Sequence, residues 1–161
     1  MLTPWMPQKE VATLDMIFAL KRPERVLEYG AGGSTVHWSG LPFIDKWLTI
    51  EHDIVWAQKT ASQCNLDHNS VEIRRVDVDP AEGYVTAPLM DAPFDLIYVD
   101  GRNRVACVKA SVRFLAPHGI VIMHDVWQND HAQALGTFPH EIILGAPTRM
   151  HNGFLVMWGD V

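Results

Sequence analysis

The feature that most constrains the fold is an alternation of short, β-branched apolar runs with longer amphipathic stretches. The clearest apolar runs are residues 94–100, which read FDLIYVD, and residues 120–124, which read IVIMH. Near-continuous apolar runs of this length are typical of central strands that helices cover on both faces. Strands that alternate with helical stretches predict βαβ units around a parallel sheet.

Seven strands and four helices are predicted along the chain. The predicted strands cover residues 25–29, 47–51, 71–76, 94–100, 120–124, 141–144 and 153–158, and the helices cover 8–21, a short stretch from Ser34, 53–64 and 103–115. We expect a loop up to about residue 93, and a loop with a short helix over 126–138. The last strand follows residue 144 too closely for a crossover helix, so we expect it to run antiparallel. The predicted fold class is therefore α/β, a doubly wound, seven-stranded, mostly parallel sheet with an antiparallel last strand and helices on both faces.

Composition narrows the class of protein. The 161 residues are predicted to form a single domain over 1–161, and 48% hydrophobic with 20% charged residues is typical of a globular chain. We expect no membrane partner, because no apolar run reaches the roughly 18 residues of a span and the N-terminus does not resemble a secretory signal. The two cysteines, Cys64 and Cys107, lack zinc or disulfide spacing, which favours a cytoplasmic location. A net charge of −6 makes nucleic acid an unlikely partner.

A glycine turn directly follows the first predicted strand. Residues 26–34 read VLEYGAGGS, and glycine in such a turn permits positive φ and lets a ligand approach the backbone closely. Glu51 ends the second strand, 19 residues after Gly32, where a carboxylate can accept both hydroxyls of a ribose. Together they favour an adenosine-type ligand, although the glycines could form only a tight turn and Glu51 only a solvated strand end.

The residues around the turn discriminate between ligands. The dinucleotide fingerprint has a third glycine where this chain has Thr35. Glu28 lies just before the glycines, where its carboxylate would repel a pyrophosphate but attract an amino group or a sulfonium. These residues favour S-adenosylmethionine over NAD.

The pattern Glu28-x-Gly30-x-Gly32 resembles the first motif of class I S-adenosylmethionine-dependent methyltransferases. The family's third glycine would fall at Ser34, so Gly33 is one place early. The resemblance extends over residues 25–125 and implies a methyltransferase with S-adenosylmethionine as its cofactor. The implied cofactor-binding residues are Glu28, Gly30, Gly32 and Glu51, with Asp77 near the adenine and Asp79 as an equal candidate for that place.

A second cluster ends the fourth and fifth strands. Asp100, His124 and Asp125 resemble the strand-end ligands of metal-dependent O-methyltransferases, which implies a Mg²⁺ ion between Asp100 and Asp125. Histidine fits a transition metal better, so His124 could instead be a general base. The third possibility is that both aspartates only cap loops. All three residues are predicted to act on the methyl acceptor.

Two arginines follow Asp100 in a turn that resembles a group of uncharacterised Rossmann-like proteins. Arg102 and Arg104 could bind a substrate carboxylate or phosphate through two hydrogen bonds each, or could be surface residues. Trp127, just after the fifth strand, is the predicted aromatic wall of the substrate pocket.

The predicted function is methyl transfer from S-adenosylmethionine to an oxygen or nitrogen of a small-molecule acceptor. The alternative is a non-catalytic module that binds S-adenosylmethionine or another adenosine ligand, and an NAD-linked oxidoreductase is the third reading. So short a chain has little to cover a substrate with. A partner subunit could close the site, the substrate could be large, or the loops at 79–93 and 126–139 could act as lids; of these we expect a homodimer.

Overall fold

A computed structural model describes residues 1–64, 70–128, 130–145 and 153–160. The strands are β1 Arg25–Tyr29, β2 Lys46–Glu51, β3 Ser70–Arg75, β4 Phe94–Val99, β5 Leu115–His124, β6 His140–Leu144 and β7 Phe154–Trp158. The helices are α1 Gln8–Lys21, α2 Gly33–Trp38, α3 Ile54–Ala61, α4 Ala81–Thr86 and α5 Arg104–Ser111, with 3₁₀ turns at Leu89–Asp91 and His131–Ala134.

The seven strands form one sheet in the order β3-β2-β1-β4-β5-β7-β6. Strands β1 to β5 are parallel, and β7 lies antiparallel between β5 and β6. This confirms the predicted fold class, including the antiparallel last strand. Because β1 lies at the centre, next to both β2 and β4, the residues that follow these three strands come together at one edge of the sheet.

Each face of the sheet has its own apolar core. On one face, Phe18 of α1 stacks against Trp38 of α2 and Trp47 of β2, with ring centroids 5.5 and 6.0 Å apart. On the other face, Tyr29 packs against Tyr84 of α4, and the Tyr29 hydroxyl donates to the Val85 carbonyl at 2.6 Å. The two cores hold α1 and α2 on one side of the sheet and α4 and α5 on the other.

Two predicted segments differ from the structure. The loop expected up to residue 93 contains α4, because Tyr84 and Val85 supply apolar surface that the sheet buries. The helix expected over 103–115 ends at Ser111, and β5 begins at Leu115 rather than Ile120. The strand begins early because the Phe114 carbonyl accepts from the Phe94 amide at 2.8 Å and Leu115 pairs with Phe94.

The ends of β1 and β4 meet through two glycines. Gly30 has a φ of +96°, and a Cβ added there would lie 2.6 Å from the Gly101 Cα. A Cβ added to Gly101 would lie 2.6 Å from the Tyr84 hydroxyl and 2.8 Å from the Gly30 nitrogen. The turn after β1 therefore keeps its shape only if the residue after Asp100 has no side chain.

We predict that Gly101→Ala destabilises the protein by about 1–3 kcal/mol, because the added methyl overpacks the contact between the two strand ends. Chemical denaturation measures this change. Gly40→Ala is the matched control, since a Cβ at the exposed Gly40 meets no atom within 4 Å. Equal stability of the two variants would contradict the prediction.

Candidate functional site

The glycine turn rests on a buried carboxylate. Glu28 of β1 is fully buried, and its oxygens accept hydrogen bonds from the hydroxyls of Ser34, Thr35 (2.6 Å) and Thr49 (2.9 Å) and from the Trp47 indole (3.1 Å). The Thr35 hydroxyl in turn accepts from the Gly32 amide at 3.0 Å. One carboxylate thus ties the end of β1 to the start of α2 and to β2.

Burial raises the pKa of Glu28 to about 7, although all four hydrogen bonds lower it. The sequence predicts that this carboxylate faces a cationic ligand. The structure instead places it beneath the turn, outside the residues that line the cleft described below. Its role in the structure is to shape the turn.

Glu51 lies beside the turn at the end of β2 and is 4% exposed. Its Oε1 accepts from the amides of His52 and Asp53, both at 2.8 Å, and lies 2.8 Å from Nδ1 of His52. Its Oε2 accepts from the Ala31 amide at 2.9 Å. A carboxylate has about four acceptor sites, so Oε2 retains room for one more donor.

The carboxyl ends of the parallel strands open into a cleft of about 1080 Å³. The cleft brings together eight of the residues predicted from sequence: Gly30, Gly32, Glu51, Asp100, Arg102, Arg104, His124 and Asp125. Glu28, Asp77 and Trp127 do not line it. Asp77 is exposed and forms an ion pair with Arg75, and Trp127 is 42% exposed.

The far side of the cleft is a network of buried charges. Asp100, His124 and Asp125 offer atoms that lie within 4.8 Å of one another. Nδ1 of His124 lies 3.1 Å from Oδ1 of Asp100, and Nε2 lies 3.2 Å from Oε2 of Glu10, a buried residue of α1. Both ring nitrogens of His124 therefore contact carboxylates.

Arg104 is committed to the same network. Its guanidinium donates to Oδ2 of Asp125 at 2.8 Å and contacts Oδ1 of Asp100 at 3.0 Å. It also donates to the carbonyls of Asp100, Gly101 and His124 at 2.8–3.1 Å. Through these five contacts Arg104 holds two strand ends together, whereas Arg102 is exposed at the cleft; that either arginine binds substrate stays a prediction.

This donor set does not fit Mg²⁺. A hard dication needs carboxylate oxygens that no other cation holds. Here the Arg104 guanidinium contacts both Asp100 and Asp125, and the His124 ring contacts Asp100. A metal would have to displace an arginine that is 13% exposed and bonded to three carbonyls.

The same contacts decide the protonation of His124. Burial lowers its pKa, but the hydrogen bond to Asp100, the charges of Asp100 and Asp125 and the hydrogen bond to Glu10 outweigh burial and raise the pKa to about 9. At neutral pH the ring is an imidazolium that donates from both nitrogens. An imidazolium has no lone pair with which to accept a proton, so the raised pKa argues against His124 as a general base.

Several lining residues escaped the sequence analysis, among them residues 1–7, Glu10 and Trp56. Glu10 had a signal. It lies next to Val11 and four residues before Leu14, on the apolar face of a predicted helix, where an unpaired carboxylate would be costly to bury. No sequence pattern indicates Trp56 as a lining residue. Its indole donates to the carbonyl of Ala31, and only the tertiary structure brings α3 and the glycine turn together.

We predict that His124 makes stability depend on pH. Its folded pKa of about 9 lies above the ordinary value of 6.5, so its contribution is complete below pH 6.5 and is lost as pH rises through 9. The stability advantage of the wild type over His124→Gln should therefore fall by about 3 kcal/mol between these limits.

Denaturation curves at several pH values measure that advantage. His118→Asn is the control, because it removes an exposed histidine at a φ of +62°, which asparagine tolerates. An advantage over His124→Gln that stays constant with pH would show that the ring is not held as an imidazolium.

In the described part of the chain, no helix combines the length and the apolar character that a membrane crossing requires.

Comparison with known proteins yields structural neighbours only. No protein-family model matches the chain, and no curated protein matches it by sequence. A methyltransferase-like protein from Silicibacter pomeroyi DSS-3 has a TM-score of 0.76 and 23% identity, and the match covers 96% of this chain and 88% of that one. The N-methyltransferase NodS from Bradyrhizobium japonicum WM9 has a TM-score of 0.57 and 14% identity, with 92% of each chain covered.

A larger neighbour was solved with its cofactor. The 16S rRNA N2 G1207 methyltransferase RsmC from T. thermophilus, in complex with AdoMet and guanosine, has a TM-score of 0.67 and 14% identity. The match covers 96% of this chain and 44% of that one. The sheet order, the antiparallel β7 and these neighbours lead to one conclusion: the chain has the Rossmann-like fold of the class I S-adenosylmethionine-dependent methyltransferases.

Proposed function

We propose that the protein binds S-adenosylmethionine in the cleft and transfers its methyl group to an oxygen or nitrogen of a small-molecule acceptor. The observation that carries the proposal is that one cleft joins a glycine turn and the Glu51 carboxylate to a second carboxylate, Asp100, at the end of β4. The glycine turn and Glu51 suit an adenosine, and Asp100 suits a nucleophile that carries a proton. The neighbour solved with AdoMet supports the same cofactor.

The cleft fits a cationic cofactor. Gly30 and Gly32 have no side chains that would keep a ligand away from the backbone of the turn, and Oε2 of Glu51 can accept from a ribose hydroxyl. The lining includes five carboxylates against three cations, so its field favours a sulfonium over a pyrophosphate. The carboxylates are Glu10, Glu51, Asp53, Asp100 and Asp125, and the cations are Arg102, Arg104 and the His124 imidazolium. When bound, S-adenosylmethionine supplies a methyl carbon that the sulfonium already activates.

The task of the protein is then to position the nucleophile and to exclude water, which is worth up to ~7–11 kcal/mol in well-oriented systems. Arg104 and His124 both hold Oδ1 of Asp100, whereas Oδ2 accepts only a long bond of 3.4 Å from the Tyr98 hydroxyl among its hydrogen bonds in the described structure. Oδ2 would accept a hydrogen bond from the O–H or N–H group of the substrate. This bond would direct the lone pair of the substrate oxygen or nitrogen toward the methyl group of the cofactor. Attack on the methyl carbon breaks its bond to the sulfonium sulfur and releases S-adenosylhomocysteine, and Oδ2 would then accept the proton that the nucleophile loses.

The same observation favours the alternative, a module that binds the cofactor without catalysis. If Asp100, His124 and Arg104 serve only to hold the strand ends together, cofactor binding would remain and turnover would be absent. Methyl transfer from labelled S-adenosylmethionine to a panel of hydroxyl and amine compounds separates the two functions.

The cofactor assignment is tested by calorimetric titration with S-adenosylhomocysteine, with and without Mg²⁺, and with NAD as a control. We expect saturable binding of S-adenosylhomocysteine that Mg²⁺ does not change, and no binding of NAD. Tighter binding with Mg²⁺ would contradict the reading of Arg104, and binding of NAD alone would contradict the proposed function.

Two matched variants locate the ribose. Glu51→Ala should weaken S-adenosylhomocysteine binding by about 1–3 kcal/mol, because it removes the acceptor at Oε2. Asp77→Ala removes a carboxylate that also follows a strand but lies outside the cleft, and it should leave the affinity unchanged. Circular dichroism checks that both variants fold. A Glu51→Ala protein that binds as tightly as the wild type would show that Glu51 is not the ribose acceptor.

A further inference from the structure

Gly33, the glycine that stands one place early in the motif, is not explained by the cofactor. It is the first residue of α2, and its φ lies outside the left-handed region, so its backbone conformation does not require glycine. What requires glycine is a neighbour. A Cβ added to Gly33 would lie 1.9 Å from the carbonyl oxygen of Thr3 and 2.5 Å from the nitrogen of Pro4.

Residues 1–7, which we call the N-terminal strap, cross the glycine turn at this point. At its start, the Leu2 amide donates to the side-chain oxygen of Gln63, just beyond α3. At its end, Pro7 precedes α1, and the Pro7 carbonyl accepts from the amides of Glu10 and Val11. The strap is thus attached on both sides of the turn, and its two prolines restrict its backbone between these attachments.

Every residue of the strap lines the cleft. On the opposite flank of the turn, the Trp56 indole donates to the Ala31 carbonyl, and its nitrogen lies 3.6 Å from where a Cβ of Gly32 would be. Ala31 and Gly32 of the turn are buried, with the strap packed against the turn at Gly33 and Trp56 packed against it at Ala31 and Gly32. A ligand that reaches the backbone of the turn must contact the strap.

We propose that the N-terminal strap is part of the cofactor-binding site, and that Gly33 is the residue that lets the strap dock there. The inference rests on the proposed function, because it assigns the strap to the same cleft. The strap would enclose the part of the cofactor that lies on residues 30–32 and would shield it from water.

The variant Gly33→Ala tests this assignment. The added methyl should push the strap away from the turn, whereas alanine in the first turn of a helix does not weaken the helix itself. Gly40→Ala is the matched control, because Gly40 is exposed and a Cβ there meets nothing within 4 Å. Two readouts apply: the affinity for S-adenosylhomocysteine by calorimetry, and the rate of chymotrypsin cleavage after Trp5, followed by mass spectrometry.

We expect Gly33→Ala to bind S-adenosylhomocysteine roughly tenfold more weakly than the wild type, to be cleaved several-fold faster after Trp5 and to keep its melting temperature. Gly40→Ala should match the wild type in all three. Wild-type affinity in Gly33→Ala would overturn the proposal. If the wild type itself does not bind S-adenosylhomocysteine, both the proposed function and the strap's part in it fail, and the cleavage rates still decide whether the strap docks on Gly33.

Discussion

The buried carboxylate of Glu28 is the interaction on which the cleft depends. An ionisable group without solvent is costly unless hydrogen bonds compensate it, and here three hydroxyls and an indole donate to it. Two of those hydroxyls, from Ser34 and Thr35, open α2. The carboxylate therefore links the end of β1 to the first turn of α2, and these hydrogen bonds constrain the backbone of the glycine turn between them. Ser34 takes the place of a family glycine because its hydroxyl is one of these donors.

On the opposite side of the cleft, buried carboxylates are likewise compensated, here by cationic side chains. Three carboxylates meet near the ends of α1, β4 and β5, and such a cluster would repel itself without cations. Arg104 and the His124 imidazolium supply them from within the chain. Among the described residues, the negative charges of this cluster are thus compensated by cations of the chain itself.

The sequence predicted the fold well and the site in part. Apolar runs and glycines mark strands and turns locally, so the sheet, the turn and Glu51 could be found without the structure. That Glu28 points into the core was also predictable from the sequence. Side chains alternate along β1, so Glu28 lies on the same face of the sheet as Val26, and α1 and α2 cover that face. The contacts of Arg104, Glu10 and the strap could not, since each joins elements distant in sequence. Whether a carboxylate near a strand end faces a ligand or an arginine depends on such contacts.

The measurement that tests the account most directly is a crystal structure of the protein with S-adenosylhomocysteine. The account predicts the ligand in the cleft, with a ribose hydroxyl within hydrogen-bond distance of Oε2 of Glu51 and the N-terminal strap packed over the turn at Gly33. A ligand bound elsewhere, or one in the cleft that leaves Glu51 without contact, would contradict the claim that this turn and this carboxylate form a cofactor site.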